Sequence, residues 1–282
     1  MEAFYGTYRG HDIDYLKRLC DQARRETMPV TWLAGDSSLD NKHWVKYCSR
    51  PIPHQLYPVA EATTARTKGD VAYWMNDGDA DRVTINAAIE GTTLADRDKH
   101  LLPQDNFVRQ SIQECDSLIV SVGCNDIAHK PTWLTIAAVA SLMLTPKWML
   151  RRGYGIGFPH LRRIFKTKVE RFVQALVERN KPERVLICMI YFPDENAAIG
   201  SWANETLRRC LYDIDSEKLQ MVIKHLYATA TKQIRIPDVK VVPVSLFEIL
   251  NGKCTSDYVA RVEPSENGGF KMATYLNSLL RD

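Results

Sequence analysis

Three groups of residues with catalytic potential each follow an apolar run that predicts a strand. Gly35-Asp36-Ser37 follows the first run, Gly91 follows the second, and Gly123-Cys124-Asn125-Asp126 follows the third. A serine just after a buried strand and before a helix is placed to attack a carbonyl carbon, because backbone N–H groups and the helix dipole stabilise the resulting oxyanion. Glycine lets a backbone N–H approach closely, and an asparagine amide adds a neutral donor. By itself Gly-Asp-Ser leaves two interpretations open, a nucleophile at Ser37 or ordinary turn and N-cap residues.

The strands and helices that must position these residues alternate along the chain. Five apolar, β-branched runs predict buried parallel strands: Val30–Ala34, Val83–Ala88, Ser117–Val122, Arg184–Tyr191 and Val239–Leu246. Helical patterns are found at Asp12–Arg25, Asn41–Cys48, Asn106–Gln113, Leu161–Glu178, Glu205–Thr231 and Gly269–Leu280, with Ser265 as the N-cap residue of the last. The alternation predicts an α/β fold, a doubly wound, flavodoxin-like three-layer sandwich. In such folds ligands bind beyond the carboxyl ends of the strands.

The length of 282 residues favours one domain, 1–282, with insertions at Ser49–Asp81 and Pro131–Tyr154. The apolar stretch Trp133–Leu144 is too short to span a membrane. It is interpreted either as a buried helix or as a lid or acyl-binding helix. The acidic run Asp77–Asp81 lacks the glycine and glutamate of a calcium loop and predicts a turn.

Composition limits the possible partners. The chain has 37 Lys and Arg against 34 Asp and Glu, and this small excess does not indicate a nucleic-acid partner. Seven scattered cysteines favour reduced thiols, and the N-terminus lacks the apolar core of a secretory signal, so we expect a cytoplasmic protein. The oligomeric state stays open.

The blocks Gly-Asp-Ser, Gly and Gly-x-Asn-Asp, in this order at three strand ends, resemble those of the SGNH (GDSL-type) hydrolases. The resemblance implies that Ser37 is the nucleophile. It also implies an oxyanion hole formed by the Ser37 N–H, the Gly91 N–H and the Asn125 side chain. The expected activity is that of an esterase or lipase acting on a small-molecule acyl ester, with no cofactor and no metal.

The fourth block departs from the family, whose members carry Asp-x-x-His before the last helix. Aligning on Pro264-Ser265 puts Glu263 in the position of the histidine and Ala260 in that of the aspartate. Glu263 is open to three interpretations: a working base, the remnant of a lost triad, or a capping or salt-bridging acid. The nearest aspartate, Asp257, is either a loop acid or a displaced partner of the base.

Other residues give weaker candidates. His129, four residues after Asn125, is a substitute base or a surface residue, and His43 is expected to point away from Ser37. Cys124 is expected to be a small buried residue rather than a nucleophile. Because the histidine is missing, a catalytically inactive protein that binds a ligand or partner through the same pocket is the alternative function.

Overall fold

A parallel sheet of five strands forms the centre of the computed structural model, which describes residues 1–60 and 66–281. The strands are β1 Val30–Gly35, β2 Val83–Asn86, β3 Ser117–Ser121, β4 Arg184–Met189 and β5 Lys240–Ser245. Their order across the sheet is β2-β1-β3-β4-β5, and every pairing is parallel. The predicted flavodoxin-like α/β fold is confirmed. The strand order runs from β1 to β2 on one side and from β3 to β5 on the other. Folds of this kind bind ligands in the crevice between β1 and β3, where the order reverses.

Twelve α-helices surround the sheet in the described part of the chain. They are α1 Ile13–Arg25, α2 Val71–Asp77, α3 Pro103–Ser111, α4 Asn125–Ala128, α5 Trp133–Leu144, α6 Lys147–Arg151, α7 Phe158–Arg162, α8 Val169–Leu176, α9 Asn204–Arg209, α10 Ser216–Thr229, α11 Leu246–Ile249 and α12 Glu266–Arg281. A π-helical turn, Arg163–Lys168, joins α7 to α8. Short 3₁₀ turns lie at His54–Val59, Ala95–Arg97, Thr231–Gln233 and Thr255–Asp257. Two small antiparallel pairs join Tyr47–Cys48 to Thr67–Lys68, and Tyr258–Val259 to Glu263–Pro264.

Successive side chains of each central strand pack into different layers, since a strand has a side-chain period of two. Trp32 of β1 packs in the core beneath α1, α3 and α8, whereas Leu33 packs in a second core beneath α2 and α12. Both faces of the sheet are therefore buried. This explains why the strands read as continuous apolar runs rather than as alternating ones.

The predicted helix Asn41–Cys48 is wrong. The segment forms turns that lead into the short strand Tyr47–Cys48. The Asn41 side chain accepts from the N–H of Val71 at 3.0 Å and donates to the carbonyl of Pro264 at 3.1 Å. The fully buried Lys42 forms an ion pair with Asp40. These side-chain bonds replace the hydrogen bonds that a helix would make.

Other helices differ from prediction in their bounds or in their continuity. The expected helix Glu205–Thr231 is interrupted between α9 and α10, where Leu211 has a φ of +55° that a helix cannot contain. The last helix begins at Glu266, three residues before the predicted start. The Ser265 hydroxyl accepts from the N–H of Gly268 at 3.1 Å, which confirms Ser265 as the N-cap.

The two predicted insertions carry short helices. Ser49–Asp81 contains the turn His54–Val59 and α2, although 61–65 lie outside the described residues. Pro131–Tyr154 contains α5 and α6, so the apolar stretch is a helix with the predicted bounds. Among the described residues, no helix has both the length and the apolar character needed to cross a bilayer.

Candidate active site

Ser37 lies at the first turn beyond β1, at the carboxyl edge of the sheet. Gly35 ends the strand with a φ of +150°, and a Cβ there would stand 1.9 Å from the carbonyl oxygen of Ser121. Only glycine lets β1 pass so close to β3. The Asp36 N–H then donates to that carbonyl at 3.1 Å. These two contacts direct the chain over the end of β3 and leave Ser37 at the wall of a cavity.

Glu263 faces Ser37 from a hairpin formed by Tyr258–Val259 and Glu263–Pro264. It is 1% exposed, and the indole Nε1 of Trp202 donates to its Oε1 at 3.1 Å. The Ser37 hydroxyl is close enough to lower the pKa of the carboxyl as a hydrogen-bond partner, yet Oε2 has no partner with good hydrogen-bond geometry among the described residues. The two side chains are therefore adjacent, although no aligned hydrogen bond joins Oε2 to the serine hydroxyl.

Burial decides the pKa of Glu263. Desolvation raises that pKa from 4.5 to about 7, because the charged form loses its hydration, and the hydrogen bonds from Ser37 and Trp202 only partly oppose this. The hairpin sits before the first turn of α12, where the helix dipole would lower a carboxylate pKa. Desolvation is the larger effect here. The result is a carboxyl group that exchanges its proton near neutral pH.

A buried arginine holds the Glu263 hairpin in place. Arg261 is 0% exposed and donates to Asp213 Oδ1 at 2.7 Å and to Asn204 Oδ1 at 3.0 Å. Arg261 and its neighbour Ala260 both have positive φ, 65° and 48°, which non-glycine residues adopt only when the surroundings hold them there. The contacts of the guanidinium supply that constraint. They also link the hairpin to the segment that carries Trp202.

Two of the candidate oxyanion donors, Gly91 and Asn125, lie on loops that are tied together, and of these two only Asn125 lines the cavity. Gly91 has a φ of +67°, a conformation that favours glycine. Asn125 starts α4 and lines the cavity, and its Nδ2 donates to the carbonyl of Thr92 at 2.9 Å. An amide nitrogen carries two hydrogens, so one remains for a ligand. Asp126 accepts from the N–H of Leu94 at 2.8 Å and strengthens the link between the loops.

A deep, mostly apolar cavity opens at Ser37, Asn125 and Glu263. Its volume of about 90 Å³ compares with roughly 10–15 Å³ for one water on the same scale. This slot therefore has room for a group of several heavy atoms. Its walls are apolar side chains from α5, the α7–π segment, α9 and α10, including Leu142, Phe165, Leu207, Val222 and Leu226.

Two further carboxyl groups have raised pKa values near the site. Burial raises the pKa of Asp36 to about 6, despite hydrogen bonds from Ser38 to its Oδ1. Burial and the negative charge of Glu263 raise the pKa of Glu90 to about 8. Because Glu263 ionises first, Glu90 must ionise beside an existing charge. Near neutral pH Glu90 is therefore protonated while Glu263 titrates.

The other candidates from the sequence lie outside the contact between Ser37 and Glu263. The Asp257 carboxylate binds the Lys271 ammonium at 2.7 Å and does not line the cavity. His129 packs edge-on against Trp202 with ring centroids 5.7 Å apart, and His43 packs against Tyr8 at 4.3 Å. Cys124 lines the cavity, but burial raises the pKa of its thiol, so it is not a thiolate.

Several residues that build this site escaped the sequence analysis. Trp202 lies in the long connection after β4, where no motif directs attention to it. No motif singles out Arg261 either, and Asn41 was predicted only as the start of a helix. Glu90 directly precedes Gly91, so the strand-end rule that found the glycine would also have found the acid.

Comparisons with known proteins rest on structure alone. No protein-family model matches the chain. No curated protein matches it in sequence. Similar solved structures include an extracellular lipase from Streptomyces rimosus, with 12% identity, 89% of this chain and 99% of that chain covered, and a TM-score of 0.45. A phospholipase A1 from Streptomyces albidoflavus has 10% identity, the same coverage and a TM-score of 0.43. An acetyl xylan esterase has 12% identity, again 89% and 99% coverage, and a TM-score of 0.43.

Proposed function

We propose that this protein is an SGNH-like serine hydrolase of acyl esters in which Glu263 replaces histidine as the general base. One observation carries the proposal: Ser37 and a buried Glu263, whose pKa is raised to about 7, are adjacent and line one apolar cavity. A base works best when its pKa lies near the operating pH. Burial gives this glutamate the proton affinity that histidine has without burial.

The reaction would proceed in two steps. Glu263 takes the hydroxyl proton as Ser37 Oγ attacks the ester carbonyl carbon, and the oxyanion is met by the free Asn125 amide hydrogen and the Gly91 N–H. The protonated Glu263 then gives its proton to the departing alcohol, leaving an acyl group on Ser37. Water then attacks the acyl carbon as Glu263 takes its proton. The bond between the acyl carbon and Ser37 Oγ breaks, Glu263 gives the proton to Oγ, and the carboxylic acid is released.

Trp202 takes the place of the acid that would orient a catalytic histidine. Its indole N–H binds Glu263 Oε1 and so directs Oε2 as the atom that receives the proton. A carboxylate has two equivalent oxygens and needs no partner to select a tautomer. The proposal therefore does not require Asp257, whose carboxylate is bonded to Lys271.

The cavity indicates an acyl chain as the group bound beside Ser37. Leu142, Phe165 and Leu226 line the cavity with apolar side chains, which offer no charged partner to a bound acyl chain. The polar groups of the lining include Ser37, Asn125 and Glu263. This combination matches a substrate with a polar ester and an apolar tail.

The alternative is a protein that binds an acyl ligand in the same cavity without cleaving it. The observation in its favour is that Oε2 of Glu263 makes no aligned hydrogen bond with the Ser37 hydroxyl. The two functions differ in whether Ser37 becomes nucleophilic. Chemical labelling of Ser37 distinguishes them directly.

Labelling with an alkyl fluorophosphonate at pH 8 tests the proposal. We expect wild-type protein to be labelled, Ser37→Ala to be unlabelled, and Glu263→Gln to be labelled at least 100-fold more slowly. Asp257→Asn is the matched control, another buried acid in the same block, and should be labelled at the wild-type rate. Failure of wild type to react between pH 6 and pH 9, with reaction restored by Glu263→His, would establish the ligand-binding alternative.

A further inference from the structure

The segment 127–169, from α4 to the start of α8, contains no acidic residue. It carries eight of the 37 Lys and Arg: Lys130, Lys147, Arg151, Arg152, Arg162, Arg163, Lys166 and Lys168. The rest of the chain then has 29 Lys and Arg against 34 Asp and Glu. Charge is therefore strongly polarised, with the positive excess in one stretch. Four of these cations, Lys130, Lys147, Arg151 and Lys168, form ion pairs with acids outside the segment. The other four form no ion pair with an acid among the described residues.

The same segment exposes large apolar side chains. Trp133 is 75% exposed, Leu144 81% and Ile156 91%, and Leu134, Ile136 and Trp148 are also exposed. Helix α5 has no charged residue in its twelve positions, and only part of it is buried. Its Val139, Leu142 and Met143 line the active-site cavity. A helix that is apolar on all sides is normally buried all round. We therefore expect the exposed side of α5 to contact another molecule.

We propose that segment 127–169 docks on the surface of an anionic lipid bilayer. Exposed tryptophan and aliphatic side chains would enter the boundary between headgroups and acyl chains, and the cations of the segment that lack an acidic ion-pair partner would attract the negative headgroups. Arg152 lies over the ring of Trp148, 5.5 Å from its centroid, so a cation and an interfacial aromatic already form one unit. The net charge of the segment favours a lipid surface over a neutral apolar protein partner.

Docking by this segment places the bilayer against the wall of the cavity. One side of α5 contacts the lipid while the other lines the slot that ends at Ser37. The source of the substrate follows from this arrangement: an acyl chain leaving the bilayer enters the slot alongside α5. That consequence rests on the proposed hydrolase function, whereas docking itself does not.

Vesicle co-sedimentation with Ser37→Ala protein measures docking without hydrolysis. We expect binding to phosphatidylserine–phosphatidylcholine vesicles, weaker binding to phosphatidylcholine alone, and a decrease at 0.5 M NaCl because salt screens the headgroup charge. Adding the double substitution Trp133→Ser/Ile156→Ser to the Ser37→Ala protein should lower its binding to the anionic vesicles about tenfold or more. Ile214→Ser, at an 84% exposed site between α9 and α10, is the matched control and should bind unchanged.

Three results would overturn the docking proposal. They are no binding to anionic vesicles, equal binding by the double variant with its circular dichroism intact, and a dimer in sedimentation velocity that the double substitution dissociates. The last would show that a second copy of the chain covers α5.

A separate assay on the Ser37-containing protein compares hydrolysis of a soluble butyrate ester with hydrolysis of a vesicle-borne ester. The double substitution should slow only the hydrolysis of the vesicle-borne ester. Vesicle binding with no turnover of either ester would refute the hydrolase function and leave docking standing.

Discussion

Removal of the Glu263 charge should increase stability above neutral pH while it abolishes catalysis. The carboxyl has a pKa of about 7 in the folded protein, against an ordinary value of 4.5 that applies to the unfolded chain. Below pH 4.5 the group is protonated in both states and has no effect. As pH rises, the unfolded chain loses the proton first, so stability falls progressively until the folded pKa is passed, and is constant above it.

The magnitude follows from the two pKa values. One pKa unit corresponds to about 1.4 kcal/mol, so the interval from 4.5 to about 7 gives about 3 kcal/mol by pH 8.5. Glu263→Gln keeps the shape of the side chain and cannot ionise. Its free energy of unfolding relative to wild type should therefore rise by about 3 kcal/mol between pH 4 and pH 8.5. Loss of the neighbouring charge also makes Glu90 easier to ionise, which acts in the same direction.

Urea denaturation of the two proteins at pH 4, 6, 7 and 8.5 measures this difference. Other titrating groups are present in both proteins, so their contributions largely cancel. The pH–rate profile for a soluble ester gives an independent value, since activity should rise with pH through about 7 as Glu263 loses its proton. A stability difference that is flat with pH, together with an activity limb near 4.5, would refute the argument that burial raises this pKa.

Four further changes separate the roles of individual residues. Asn125→Ala should lower kcat for a butyrate ester by about 100- to 1,000-fold with little change in KM, because its amide would contact the oxyanion; an effect confined to KM would contradict this. Arg261→Ala should lower the free energy of unfolding in urea by about 3 kcal/mol, since a buried charged network loses its centre, and a loss below 1 kcal/mol would argue against it. Val222→Trp should narrow the slot and reduce turnover of an octanoyl ester about tenfold while sparing an acetyl ester; equal losses would place the chain elsewhere. Asp257→Asn should leave the pH–rate profile unchanged, because its carboxylate serves Lys271, and a displaced acid limb would restore it as a partner of Glu263.

The elements that could be predicted from the sequence are those with a strong local signal. The five strands were located to within about two residues, because both faces of a parallel sheet are buried and the strands are continuous apolar runs. The turn at Ser37 could also be predicted, because Gly35 follows the first apolar run. The structure shows why a glycine is needed there, since β1 passes very close to β3 at this residue. The helix expected at 41–48 failed because its side chains bond to residues far along the chain, such as Val71 and Pro264.

What the sequence by itself determined was the layered fold, the order of the strand-end blocks, and the substitution of glutamate at position 263. Whether that glutamate has the proton affinity of a base was decided only by tertiary structure. A local pattern carries propensity but not desolvation, and the pKa of Glu263 depends on burial among Ser37, Trp202 and the cavity walls, which come from distant parts of the chain. Ser37 was a candidate nucleophile from its place in the sequence, whereas the raised pKa that makes Glu263 a candidate base arises only when folding excludes water from its carboxyl group.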